Sequence, residues 1–300
     1  MAKLLVCWSS RQVVPRNEMS LKSWRIGPLP GLLALALLGL TLLAGCGTER
    51  VSEPTVPLQP RARLPWQAAI GEVETNARGV HCSGVLVAPD IVATAAHCLF
   101  LKTAKRPAKP NEIVFRPNRG GLPALPPSRG VLIKGLGAPL RGGKLRNEDV
   151  SNDWMLVQIS PPISAVPPIS VARLTIDGML ELIQAGNRLV VAGYGNGIYD
   201  QLKVNERCRL LSQQEIGFFP DDSWLQLDCA FRIGDSGGGI ILLDGAGQPA
   251  LIGLVAGFGD LKTRPLGLGV NASQFAHYLH SPVAGTSPAP GVALADLPLD

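Results

Sequence analysis

The stretch Gly234-Asp235-Ser236-Gly237-Gly238-Gly239, followed at once by Ile240-Ile241-Leu242-Leu243, decides how this chain is read. Glycines on both sides of Ser236 let the backbone turn sharply and let a second carbonyl approach the hydroxyl. The letters also fit a Gly-x-Ser-x-Gly elbow, which requires a helix after the serine. An apolar, β-prone run follows instead, so the serine is expected on a loop that feeds a strand.

Composition agrees with strands. The 300 residues are 46% hydrophobic and 5% aromatic, with 34 Gly and 26 Pro. Such punctuation suits short strands joined by turns. Apolar runs at 66–70, 84–87, 91–93, 112–115, 130–134, 154–159, 188–192, 240–243 and 250–255 recur at the cadence of a barrel or sandwich. Long loops are expected over 102–146, which is rich in Pro, Gly and basic residues. The spacing of Phe275, Tyr278 and Leu279 predicts a helix over 273–280.

The net charge of +5 is concentrated at the front. Residues 1–45 carry Lys3, Arg11, Arg16, Lys22 and Arg25 against Glu18 alone, and the remainder is close to neutral. Nucleic-acid binding gains no support from this balance. Lys22 and Arg25 precede the uncharged run GLLALALLGLTLLA at 31–44, which is too short to span a membrane comfortably. A basic flank, a short apolar run and small residues make a secretory signal. It ends in Leu43-Ala44-Gly45-Cys46, which resembles the lipobox of bacterial lipoproteins. That resemblance implies acylation of Cys46 and a lipid anchor. The product is expected to be exported and membrane-held on the periplasmic or surface face of a bacterial envelope, with release by proteolysis as an option.

The chain is thus parsed as a leader over 1–45, with 1–18 an over-extended start ahead of Met19. A flexible tether (46–63), a globular domain (64–280) and a disordered tail (281–300) follow. Of the six cysteines, Cys7 and Cys46 belong to the front. Cys82, Cys98, Cys208 and Cys229 remain for two disulfides with three possible pairings. No Cys or His cluster stands at zinc spacing, so neither a metal nor a cofactor is expected.

A serine hydroxyl becomes a strong nucleophile when a neutral imidazole takes its proton. A buried carboxylate fixes the imidazole's tautomer, and two backbone N–H groups hold the oxyanion that forms. His97 lies in Thr94-Ala95-Ala96-His97-Cys98, and Asp153 stands immediately before the apolar run Trp154-Met155-Leu156-Val157. Asp149 is the rival acid, but no sustained apolar run follows it. His81, His277 and His280 read as structural or surface residues.

The 94–98 and 234–238 stretches resemble the TAAHC and GDSGG signatures of chymotrypsin-like (trypsin-like) serine proteases, in the family's order His, Asp, Ser. Pro65-Trp66-Gln67, Cys82-Ser83-Gly84-Val85-Leu86-Val87 and Gly193-Tyr194-Gly195 extend the resemblance over 64–280. It implies an all-β fold of two six-stranded Greek-key barrels with a short C-terminal helix. It also implies a His97, Asp153, Ser236 triad, and an oxyanion hole from the N–H groups of Gly234 and Ser236. A Cys82–Cys98 disulfide is implied too, with Cys208–Cys229 as the second. The implied activity is that of a serine endopeptidase acting on a peptide or protein substrate. A catalytically silent binding protein on the same scaffold, an esterase and a structural envelope lipoprotein are the rivals.

The chain departs from the family at three places. Ala230 stands where trypsin-like members carry an acid at the base of the specificity (S1) pocket. Phe231, Ala256, Gly257, Phe258 and Gly267 complete the candidate pocket, which is expected to be apolar. Asp228 is near but out of register. No family-like N-terminal activation sequence precedes Pro65, so Asp235 is expected either to pair internally or to await a cut at Arg50-Val51. Gly239 stands where Pro is usual.

Overall fold

Twelve strands carry the fold in the computed structural model, which describes residues 61–75, 81–101, 106–137, 147–195, 201–216, 222–261 and 264–280. The expected leader, Cys46, the Arg50-Val51 site and the tail 281–300 lie outside the described residues.

The first six strands are β1 (Ile70–Thr75), β2 (His81–Ala88), β3 (Ile91–Thr94), β4 (Ile113–Pro117), β5 (Ser128–Leu136) and β6 (Met155–Ser160). They close into a barrel in the order β6-β3-β2-β1-β4-β5. The next six are β7 (Arg188–Gly193), β8 (Lys203–Asn205), β9 (Trp224–Leu227), β10 (Gly239–Leu243), β11 (Pro249–Leu261) and β12 (Arg264–Asn271). Their path is β8-β7-β10-β11-β12-β9, and the short segment Ser170–Val171 adds to β11. Shifting every label by six superposes the two orders, so the second half repeats the first, as the two-barrel expectation requires. It differs at one seam, because no ladder joins β8 to β9. The chain spans that seam by a Leu210–Leu227 bridge, by the Asp228 N–H donating to Arg209 O at 3.0 Å, and by the Cys208–Cys229 disulfide.

Alternation along each strand explains why the second half reads as unbroken apolar runs. Leu189, Val191, Ile240 and Leu242 point into the core of the second half. Val190, Ala192, Ile241 and Leu243 point the other way, into an apolar cluster shared with the first barrel. Successive side chains face opposite sides. Both sides are buried here, so the polar half of the usual pattern is missing.

Two sequence expectations need correction, and one helix has no counterpart in them. Residues 66–69 are not strand: Pro65–Ala68 is one helical turn, started by Pro65 and capped by Gln67, whose side chain accepts the Leu64 N–H. The helix α1 (Ile176–Gln184) was not anticipated; Thr175 caps it by accepting the Gly178 N–H at 3.1 Å. The C-terminal helix is shorter than 273–280. A 3₁₀ turn, Ala272–Gln274, precedes α2 (Ala276–His280), because Asn271 caps that turn through the Ser273 N–H.

Described contacts also include residues just before 64. Arg61–Ala62 pairs in parallel with Gly121–Leu122. Arg63 donates to the Tyr194 hydroxyl at 2.7 Å and to Arg119 O at 2.7 Å, tying the entering chain to both halves.

Candidate active site

His97 sits in the 3₁₀ turn Ala96–Leu99 that follows β3. The Cys82–Cys98 disulfide ties this turn to β2. Small, fully buried Ala95 and Ala96 let the turn settle against the barrel. Asp153 has no exposed surface and lies at the mouth of β6. Asp149 lies further back, in the 3₁₀ turn Asn147–Asn152. Trp154 fixes the strand behind Asp153, packing its ring 5.1 Å from that of Tyr278 and 5.8 Å from that of Phe275.

The two side chains meet directly. Asp153 Oδ2 lies 2.6 Å from His97 Nδ1, and Asp153 Oδ1 accepts the His97 backbone N–H at 2.8 Å. Both carboxylate oxygens therefore orient one histidine. With Nδ1 donating to the carboxylate, Nε2 is the ring nitrogen that can take a proton.

The Ser236 loop reaches this rim from the second half. Gly237, at φ +77°, packs so closely that a Cβ would overlap Thr94 Oγ1 and the Ser83 carbonyl, three and fourteen residues before His97. Ser236 O accepts the Ser83 N–H at 2.7 Å. Ahead of the serine, the Asp235 N–H closes a turn onto Arg232 O at 3.0 Å, with Gly234 at φ +98° in its third position. That positive φ is what a type II turn demands of glycine. The N–H groups of Asp235, Gly237 and Gly238 all find backbone acceptors. Those of Gly234 and Ser236 are not spent on any acceptor among the described residues.

Asp235 is held by backbone. Its Oδ2 accepts the Arg232 N–H at 2.8 Å and its Oδ1 the Gly195 N–H at 2.9 Å. Burial pushes this carboxyl above its ordinary value, and the two N–H groups and the charges of Arg232 and Lys203 pull against that rise. A cavity of about 300 Å³ adjoins it, lined by Val191, Lys203, Asn205, Ala230 and Phe231 among others. A larger cavity of about 520 Å³, lined by residues that include Leu180, Ile183, Arg188, Cys208 and Glu215, has none of His97, Asp153 and Ser236 in its lining.

Of the candidate pocket residues, Ala230 is exposed while Phe231 is buried. The Phe231 ring lies over Gly267, where a Cβ would come within 2.6 Å of its tip. Gly267 pairs with Phe258 across β12 and β11, and Gly257 pairs with Leu268. Ala256 is buried, and Gly257 and Phe258 are half-buried. The space is therefore walled by rings and glycines. Asp228, the nearby acid, is engaged by Arg209, whose N–H and Nε lie 2.8 and 3.1 Å from its carboxylate.

His81 lies outside this constellation. Its Nδ1 contacts the fully buried Glu72 at 2.7 Å, and the Arg119 guanidinium bridges Glu72 and Glu74. Burial raises the Glu72 carboxyl, with the His81 bond and the Arg119 charge opposing. Among the described residues, two groupings have metal-like proximity, Glu72/Glu74/His81 and Cys82/His97/Cys98. The first already embraces a guanidinium and the second contains a disulfide. His277 stacks on Tyr278 with ring centroids 4.0 Å apart.

Ser83 and Tyr194 stand inside quoted motifs, yet their part in the site was not read from sequence. The Ser83 hydroxyl donates to Gly234 O, 151 residues away, and accepts the Tyr194 N–H, 111 residues away.

Comparison with known proteins agrees with this geometry. Residues 82–254 match the family model described as "Trypsin-like peptidase domain". Kallikrein-11 of Homo sapiens is 29% identical over 194 residues, covering 62% of this chain. The chain spans 60% of the length of that relative. Since the matched residues cover more than half of the chain and frame the His97, Asp153 and Ser236 positions, the chain belongs to the family of trypsin-like peptidase domains.

Proposed function

We propose that this protein is a serine endopeptidase in which Ser236 attacks the substrate carbonyl, His97 takes the proton and Asp153 stabilises the resulting imidazolium. The observation that carries the reading is the pair of hydrogen bonds by which the His97 backbone N–H and Nδ1 engage the two oxygens of Asp153, with the Ser236 loop packed on the strand end that leads to that histidine. The unspent N–H groups of Gly234 and Ser236 are the donors for the oxyanion. The acyl group passes to Ser236 while His97 returns its proton to the leaving amine. Water then repeats the sequence in reverse.

The buried Phe231 and the engaged Asp228 support a shallow, apolar specificity pocket, selective for small uncharged P1 residues. The purified protein should hydrolyse unfolded casein, and Ser236→Ala or His97→Ala should lower the rate by about 10³-fold or more. A wild type that hydrolyses casein no faster than these variants, at background rate, would make the protein a binding scaffold instead.

From the lipobox-like stretch Leu43-Ala44-Gly45-Cys46 we further propose that the enzyme is exported and held on a lipid anchor at Cys46. Two disulfides in one domain support an oxidising compartment. Labelled fatty acid should enter the wild-type protein in a bacterial host and not the Cys46→Ser variant; equal labelling of both would remove the anchor.

A further inference from the structure

Ser83 is a fully buried serine that the triad chemistry leaves unused. It lies on β2, next to the disulfide cysteine Cys82, and bonds in four directions. Its hydroxyl donates to Gly234 O at 2.8 Å and accepts the Tyr194 N–H at 2.8 Å. Its own N–H donates to Ser236 O at 2.7 Å, and its carbonyl accepts the Thr94 hydroxyl at 2.7 Å. One first-barrel residue thus grips the backbone carbonyls of both the nucleophile and the glycine two positions earlier. The second of those bonds depends on the side chain alone.

Gly234 has no Cβ and sits at φ +98°, so sterics alone do not fix its peptide planes. Hydrogen bonds must do so. Oxyanion donors are effective only when already aimed at the place where charge develops. The Asp235 N–H and carboxylate fix the turn from the second half. Ser83 fixes it from the first.

We propose that Ser83 is a positioning residue of the acyl-transfer site: its hydroxyl holds the Gly234–Asp235 peptide so that the Gly234 and Ser236 N–H groups face the developing oxyanion. This rests on the serine-hydrolase reading above. Ser83→Ala removes one oxygen and no carbon, leaving Gly234 O and the Tyr194 N–H without their partner. Ser128 supplies a matched control, since its buried hydroxyl donates to the remote Pro161 O at 2.7 Å.

The test is acylation of the full chain by p-nitrophenyl acetate. In that step the Ser236 ester forms, p-nitrophenolate leaves and the serine proton goes to His97. Ser83→Ala should slow acylation about tenfold or more while KM stays within about twofold. Ser128→Ala should lower the melting temperature but keep the wild-type acylation rate. An active wild type with an equally fast Ser83→Ala overturns the inference alone, as does an equal loss of rate in the two variants. A wild type that takes no acetyl group sinks the hydrolase reading and this inference with it.

Discussion

Phe231 occupies space that a glycine on the neighbouring strand keeps open. Its ring rests on Gly267 and is almost wholly buried. A P1 side chain entering between 230–235 and β11 would meet that ring early. Phe231→Ala should therefore deepen the pocket, at a cost of about 3–5 kcal/mol in stability. In a matched peptide series, kcat/KM for P1 Leu or Phe should rise about tenfold relative to P1 Ala. An unchanged ranking would mean that Phe231 is core and nothing more. At this scale the sequence was informative where chemistry is local. The letters around His97 and Ser236 could be read directly, and the absence of an acid at Ala230 pointed to an apolar wall. Ser83 could not be read this way, since its partners Gly234 and Tyr194 are distant in the chain and meet it only in the fold.

At the element scale, strands buried on both faces declared themselves as apolar runs, and 240–243 lies where it was expected. Short helical turns did not. The turn Pro65–Ala68 is held by a proline and a single capping glutamine, so its apolar letters looked like the start of β1. The 3₁₀ turn Pro110–Glu112 is a similar local device. Glu112 binds the Arg106 guanidinium with both oxygens and also accepts the Lys109 N–H. The Arg106 bonds, then the Lys109 N–H, hold its carboxyl down at about 2, from an ordinary value of 4.5. A depressed carboxyl contributes stability above its unfolded value and loses it as pH falls toward the folded one. The pair's contribution should thus be complete above pH 4.5 and fade toward pH 2. Both side chains reach solvent, so screening keeps that contribution small. Urea titrations should find Glu112→Gln slightly less stable than wild type at pH 6 and equal to it near the acid limit. A constant gap across the range would contradict the assignment.

Over the whole molecule, the same strand order used twice brings two loop clusters face to face. The first half contributes His97 and Asp153, the second contributes Ser236, and Ser83 and Gly237 are where they touch. The two-barrel plan was legible only through the resemblance carried by the motifs, since composition alone allowed barrel or sandwich. The open seam between β8 and β9 was not legible, because a single bridge and a disulfide replace a ladder there. Asp235 has both oxygens engaged by the Arg232 and Gly195 N–H groups, which supports the internal pairing of the two alternatives raised for it. On the proposed function, the uncut chain should therefore already hold His97, Asp153 and Ser236 as an assembled triad. The direct measurement is reaction of the purified, uncut protein with a fluorophosphonate probe, followed by mass mapping of the adduct. One probe per chain on Ser236, lost in both Ser236→Ala and His97→Ala, is the predicted result. A folded, uncut wild type that stays unlabelled would contradict it.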